Sequence, residues 1–143
     1  MVEFPLFCYG TLLSAAVREK VLGNQVRLSI QPASLNGYKV MKVAKAHYPA
    51  LIKSSSDEVV KGALVNALTN LDMSILDKFE GTKYFRSILT VLATDNSLIK
   101  SFVYLPDETI QTEGVWVFKD WESSELNLFL SRDFDLDGIK VPN

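Results

Sequence analysis

Glu80 is the acidic residue whose neighbours most suggest chemistry. It stands in Leu76-Asp77-Lys78-Phe79-Glu80-Gly81-Thr82-Lys83-Tyr84-Phe85-Arg86, at the end of an expected helix and directly before an expected strand. A carboxylate beside apolar groups resists ionisation, so its pKa rises towards the range useful for general acid–base work. The competing reading is a solvated surface residue, the usual fate of a lone Glu; Asp77 has that reading and no feature against it. A second stretch, Tyr9-Gly10-Thr11-Leu12, joins an expected strand to an expected helix. Glycine lets a ligand approach the backbone closely, and amides ahead of a helix N-terminus favour an anion such as a substrate carboxylate. One glycine is a weak signal, and an ordinary strand-to-helix turn would use it too. Cys8 and His47 could pair as thiol and base. However, Cys8 sits in an apolar run, where a free thiol is usually an inert small hydrophobe, and His47 reads as a loop residue before Tyr48-Pro49. Trp116, Phe118 and Trp121 read as packing residues.

The elements that must position these residues follow from periodicity and punctuation. Leu6 to Tyr9 is a short buried strand stopped at Gly10. Ser14 can cap a helix from Ala15 to Leu22, with Val17, Val21 and Leu22 on one face and Gly23 as its end. Arg27 to Ala33 and Tyr38 to Val43 read as strands with Asn36-Gly37 as the turn between them. Ala50 to Lys53 is a short strand, and Val59 to Leu68 a strand that another backbone approaches closely at Gly62. Thr69 to Phe79 is the clearest helix, capped by Thr69 or Asn70 and ended by Gly81. Phe85 to Ala93 and Leu98 to Leu105 form a hairpin around Asp95-Asn96-Ser97, apolar enough to lie in a closed or covered sheet. Ser123 to Phe134 is amphipathic, with Leu126, Phe129 and Leu130 as its stripe. Six or seven strands with two or three helices give an α+β fold with a curled mixed sheet or small barrel. Residues 1–143 read as one domain, with 135–143 expected to be an irregular, frayed tail.

Composition narrows the function classes. The 143 residues carry 15 basic and 17 acidic side chains, a formal charge of −2, with no block of like charge. The basic footprint of a nucleic-acid binder is missing, and capture by an anionic membrane is disfavoured. One cysteine and one histidine rule out an intrachain disulfide and a Cys/His zinc cluster. No secretory leader and no apolar run of membrane-spanning length is read. These features fit a reducing, cytoplasmic setting.

Four elements, in order, resemble the gamma-glutamylcyclotransferase-like family, including its plant avirulence-induced branch. Leu6-Phe7-Cys8-Tyr9-Gly10-Thr11-Leu12 is similar to the family's opening strand and Tyr-Gly-Ser/Thr-Leu loop. Tyr48-Pro49-Ala50-Leu51 resembles its Tyr-Pro segment, and Val60-Lys61-Gly62-Ala63-Leu64 its Val-x-Gly strand. Leu76-Asp77-x-Phe79-Glu80-Gly81 followed by Tyr84-Phe85-Arg86 resembles its Leu-Asp-x-Phe-Glu-Gly-x-x-Tyr-x-Arg signature. Trp116 to Trp121 is similar to the tail of the plant-type branch, and the residues beyond Arg132 follow no family pattern. The resemblance implies a compact barrel-like fold with a central cavity and a single domain. It implies Glu80 as the acid–base residue, and Tyr9, Gly10, Thr11, Leu12 and Tyr84 as the substrate contacts. It also implies a small-molecule gamma-glutamyl substrate cyclised to 5-oxoproline with release of an amine, and no cofactor or metal. The alternative on the same fold is a non-catalytic module that binds a small ligand or a protein partner.

Overall fold

The computed structural model describes residues 2–142. Among the described residues, eight strands form two sheets. β1 (Leu6–Cys8), β5 (Val59–Asn66), β2 (Ser29–Asn36), β6 (Tyr84–Ala93) and β7 (Leu98–Pro106) close a barrel in that order. The closure is a parallel bridge between β1 and β7, Leu6 opposite Phe102. β4 (Pro49–Lys53), β3 (Tyr38–Val43) and β8 (Thr112–Val115) make a separate three-stranded sheet. The fold is therefore α+β with a small mixed barrel, as the pattern of elements predicts.

Alternation along β1 divides the apolar side chains between two cores. Phe7 and Tyr9 pack with Leu35, Leu64, Val91 and Val103, and Leu51 of β4 joins this group. Leu6 and Cys8 face the other way, towards Val17, Leu76 and Phe79 of the helices. Gly62 makes the β1–β5 contact possible. A Cβ there would lie 2.3 Å from the Cys8 carbonyl oxygen and 2.8 Å from the Phe7 ring, so the close backbone approach expected at this position is present.

The helices begin and end where their caps dictate. Ser14 accepts from the Val17 amide and opens α1 (Ala15–Leu22), which Gly23 closes at φ +75°. Thr69 and Asp72 form a reciprocal capping box at the start of α2 (Asn70–Glu80), which Gly81 closes at φ +84°.

Other expectations need correcting. Asn36-Gly37 does not join a hairpin: β2 pairs with β5 and β6, while β3 pairs with β4 and β8. Gly37, at φ +85°, instead carries the chain from the barrel to the second sheet. Its amide donates to Glu58 and its carbonyl accepts from Ser54, both at 2.8 Å. An Asn-Gly pair signals the positive-φ turn, not the pairing of the strands that flank it. β6 and β7 are not buried on both faces: Phe85, Ile88 and Leu98 are exposed. β8 was not expected at all, because its Thr-Glu-Gly-Val has almost no apolar pattern.

The tail helix starts at Phe118 rather than Ser123. α3 (Phe118–Ser124) is followed by the short α4 (Leu126–Leu128) and a π-helical turn at Phe129–Asp133. Trp121 and Phe129 are both fully buried, so the apolar stripe begins with the Trp pair. The widened last turn, with the Phe134 amide donating to the Phe129 carbonyl at 2.9 Å, places Asp133 against the β3–β4 connection. Beyond it the chain is irregular but anchored. The Ile139 amide donates to Phe79, the Lys140 amide donates to Asp133, and the Tyr48 hydroxyl donates to the Lys140 carbonyl.

Candidate functional site

Glu80 is the last residue of α2, and Phe79 before it is completely buried, which fixes the rotation of the helix end. Glu80 is only partly exposed, and it lines a cavity between the end of β1, the start of β4 and the facing ends of β6 and β7. Burial raises the pKa of its carboxyl to about 8, and the neighbouring charge of Asp77 adds to the rise. A carboxyl in that range can give or take a proton at neutral pH.

The turn after β1 forms the opposite wall. Gly10 has φ −126° and ψ −133°, so the left-handed backbone that would have explained a glycine here is not present. Space explains it instead: a Cβ would lie 2.9 Å from the Pro49 ring. The chain then makes a single 3₁₀ turn, Thr11–Leu13, with Thr11 and Leu12 buried. Arg18 of α1 holds the turn from behind, donating to the Leu12 and Leu13 carbonyls at 2.8 and 3.0 Å. With those carbonyls engaged, the amides of Thr11 and Leu12 have no acceptor among the described residues.

All six site residues expected from the sequence, Tyr9, Gly10, Thr11, Leu12, Glu80 and Tyr84, line this one cavity. Tyr48, Pro49, Tyr104 and Ile139 line it too and were not expected there. The tyrosines are tied down by their own hydroxyls. Tyr9 donates to the Tyr104 carbonyl at 2.7 Å, Tyr84 to the Pro49 carbonyl at 3.0 Å and Tyr104 to an Asp77 carboxylate oxygen at 2.7 Å. The other Asp77 oxygen pairs with Arg86 at 3.2 Å. Burial, followed by the field of Glu80, pushes the Tyr9 hydroxyl above its ordinary range; for Tyr84 and Tyr104, Glu80 adds to the same effect.

The residues that the sequence reading missed had little usable signal. Asp77 lies three residues before Glu80, one helical turn away on a neighbouring face. Tyr104 sits opposite Arg86 in the β6–β7 register, two residues away from the Pro106 that counting outwards from the expected Asp95-Asn96-Ser97 turn would place there. Tyr48 was seen only as part of a motif, and Ile139 carried no pattern.

The thiol–base pair finds no support in the geometry. Burial pushes the Cys8 thiol up to about 12, with Arg18 offsetting part of the effect. His47 lies outside the cavity lining, its Nδ1 3.0 Å from one Asp133 oxygen and its amide donating to the other at 2.7 Å. Among the described residues no group of three or more His, Cys, Asp or Glu is placed to hold a metal ion, and no helix is long and apolar enough to cross a membrane.

Comparison with known proteins places the fold and the family. AIG2-like protein D of Arabidopsis thaliana is 29% identical over 129 residues, which cover 87% of this chain and 83% of that protein. A solution structure from Arabidopsis thaliana superposes with a TM-score of 0.67 at 25% identity, covering 90% of this chain and 78% of the other. A structure described as gamma-glutamyl cyclotransferase superposes with a TM-score of 0.61 at 19% identity, covering 76% and 69%, and at that identity supports the fold. Residues 6–123 match the family described as Gamma-glutamyl cyclotransferase, AIG2-like, a span that takes in both cavity walls up to the tail, and the chain belongs to that family.

Proposed function

We propose that this protein cyclises a gamma-glutamyl amine or amino acid to 5-oxoproline and releases the free amine, with Glu80 as the acid–base residue. One observation carries the reading: a carboxyl with its pKa raised to about 8 shares a small cavity with the Gly10-Thr11-Leu12 turn. In the reaction the substrate's own α-amine attacks its γ-carbonyl. A C–N bond forms, the tetrahedral centre collapses and the original C–N bond breaks. Ionised Glu80 takes the proton from the α-ammonium, and the protonated form then delivers it to the leaving nitrogen. Proton transfer by a positioned group typically contributes about 10²–10⁴-fold. The nucleophile is tethered, so orientation adds to this; effective molarities for such reactions reach about 10⁵–10⁸ M. The amides after Gly10 are the groups proposed to orient the glutamyl carboxylate or to meet the developing oxyanion.

The cavity is small and open on one side, with about 30 Å³ of space for the centres of water molecules, room for one or two of them. The tail segment carrying Ile139 closes one side of it, held by hydrogen bonds from the Ile139 and Lys140 amides and to the Lys140 carbonyl.

The test is a panel of gamma-glutamyl amines, amino acids and peptides assayed for 5-oxoproline release, with Glu80→Gln as the partner variant. Release by the wild type and a loss of about a hundredfold or more in the variant is the expected result. A folded Glu80→Gln protein with full turnover would remove Glu80 from the mechanism.

A further inference from the structure

The tyrosine hydroxyl protons around the cavity are already committed. Tyr9 and Tyr84 donate to backbone carbonyls, Tyr48 donates to the Lys140 carbonyl, and Tyr104 donates to Asp77. None of these directions depends on where a hydrogen was placed, because a carbonyl or carboxylate oxygen can only accept. A phenol that has given away its one proton has only lone pairs left to offer. Tyr104 is the case with a consequence. Its partner Asp77 is held from the other side by Arg86, whose guanidinium also lies over the Phe102 ring at 4.5 Å. Arg86 has only donors, so the Asp77 carboxylate, itself 43% exposed, bridges two donors and accepts from both Tyr104 and Arg86. Tyr104 also lies in the field of Glu80 and lines the same cavity.

We propose that Tyr104 is a specificity-determining residue of this cavity, presenting an acceptor-only phenol oxygen to the substrate's primary ammonium, and that Asp77 is the positioning residue that keeps it in that state. This rests on the reading that the Glu80 cavity is the substrate site. The cavity then selects gamma-glutamyl compounds with an unblocked α-amine, and it discriminates against analogues that lack the amine before any chemistry takes place. Asp77 acts through Tyr104 and needs no contact with the substrate.

The experiment measures binding, so it does not depend on turnover. Dissociation constants for L-glutamate and for glutarate, its equivalent without the amine, are compared by calorimetry for wild type, Tyr104→Phe and Asp77→Asn. Wild type should prefer L-glutamate. Tyr104→Phe keeps the ring and loses the lone pairs, so the preference should fall about tenfold, the scale of one hydrogen bond to a charged group. In Asp77→Asn the amide carbonyl turns to Arg86 and its NH₂ to Tyr104. Tyr104 then accepts, its proton is free to face the cavity, and the preference should fall by a similar factor. If Asp77→Asn fails to fold, Tyr104→Phe decides. A preference unchanged in Tyr104→Phe, or a wild type that binds the two compounds equally or binds neither, overturns the proposal. Turnover is read separately. Release of 5-oxoproline without an amine preference would leave the acid–base reading standing and remove this one. A preference without turnover would do the reverse.

Discussion

The cavity has two walls of different origin. One is local: the turn after β1 and the last residue of α2, each set by a few adjacent residues such as Gly10, Phe79 and Gly81. The other is assembled from a distance: Tyr48 from the β3–β4 connection, Ile139 from the tail, and the contacts from Asp133 and Lys140 that hold them together. The first wall holds a carboxyl in an environment that resists its charge. The second contains aromatic packing and satisfied hydrogen bonds. The expectation is that removing chemistry from the first wall stabilises the protein, while trimming the second destabilises it, a division seen where function is maintained against stability.

The largest effect belongs to the second wall. Phe129 is fully buried and meets Tyr48, Trp121 and Phe134 at ring-centroid distances of 6.3, 5.7 and 6.2 Å. Phe129→Ala should cost about 3–5 kcal/mol in chemical denaturation, the usual range for a buried aromatic. A loss below about 1 kcal/mol would mean that the tail contributes little to the fold.

Glu80→Gln should act in the opposite direction, and pH sets when. The carboxyl has its ordinary value of 4.5 when unfolded and about 8 when folded, so the native state binds the proton more tightly. Below the unfolded value both states are protonated and nothing is lost. As pH rises towards 8 the unfolded state ionises first, and wild-type stability falls. Gln has no such loss. The variant should match wild type near pH 4 and exceed it above pH 8, on the order of 3 kcal/mol after allowance for the partly exposed edge. Parallel unfolding curves for the two proteins across that range would show that the carboxyl is solvated. The same titration predicts that kcat/KM of the wild type rises with pH up to about 8, as the base form of the free enzyme accumulates.

Asp133→Ala separates the two walls at lower cost. It removes both acceptors of His47, the amide contact at 2.7 Å and the ring contact at 3.0 Å. A buried donor left unpaired costs about 1–3 kcal/mol. Because the lost contacts hold the tail and not Glu80, KM should change and kcat should stay near the wild-type value. A kcat that fell as far as in Glu80→Gln would mean that the walls are not separable.

The same division explains what the sequence revealed. α1 and α2 were legible to within a residue because Ser14, Thr69, Gly23 and Gly81 write their ends locally. The six cavity residues were legible because they sit at element boundaries carrying a recognisable family pattern. The sheet assignment of β3 was not, because Gly37 gives the sharp change of direction without saying which strand lies beside the next one. β8 was hidden by its exposed, nearly pattern-free residues, and Ile139 by the irregular chain around it. Contacts such as Asp133 with His47 span 86 residues, and no local spacing encodes them.

Gly10→Ala is the smallest of the expected effects and the sharpest test of the local wall. The negative φ of Gly10 means that alanine meets no left-handed strain there. What it meets is the Pro49 ring, at 2.9 Å from the new Cβ, and a proline ring has little freedom to swing away. Pro49 also carries the carbonyl that accepts from Tyr84, so moving the ring shifts a hydrogen bond on the cavity lining. The cost in stability should be about 1 kcal/mol, the low end for overpacking. The loss of affinity for a gamma-glutamyl ligand should exceed the loss of stability, because the displaced atoms face the cavity. If Gly10→Ala lowered stability by several kcal/mol while affinity held, the glycine would be needed for its backbone and not for the space beside Pro49.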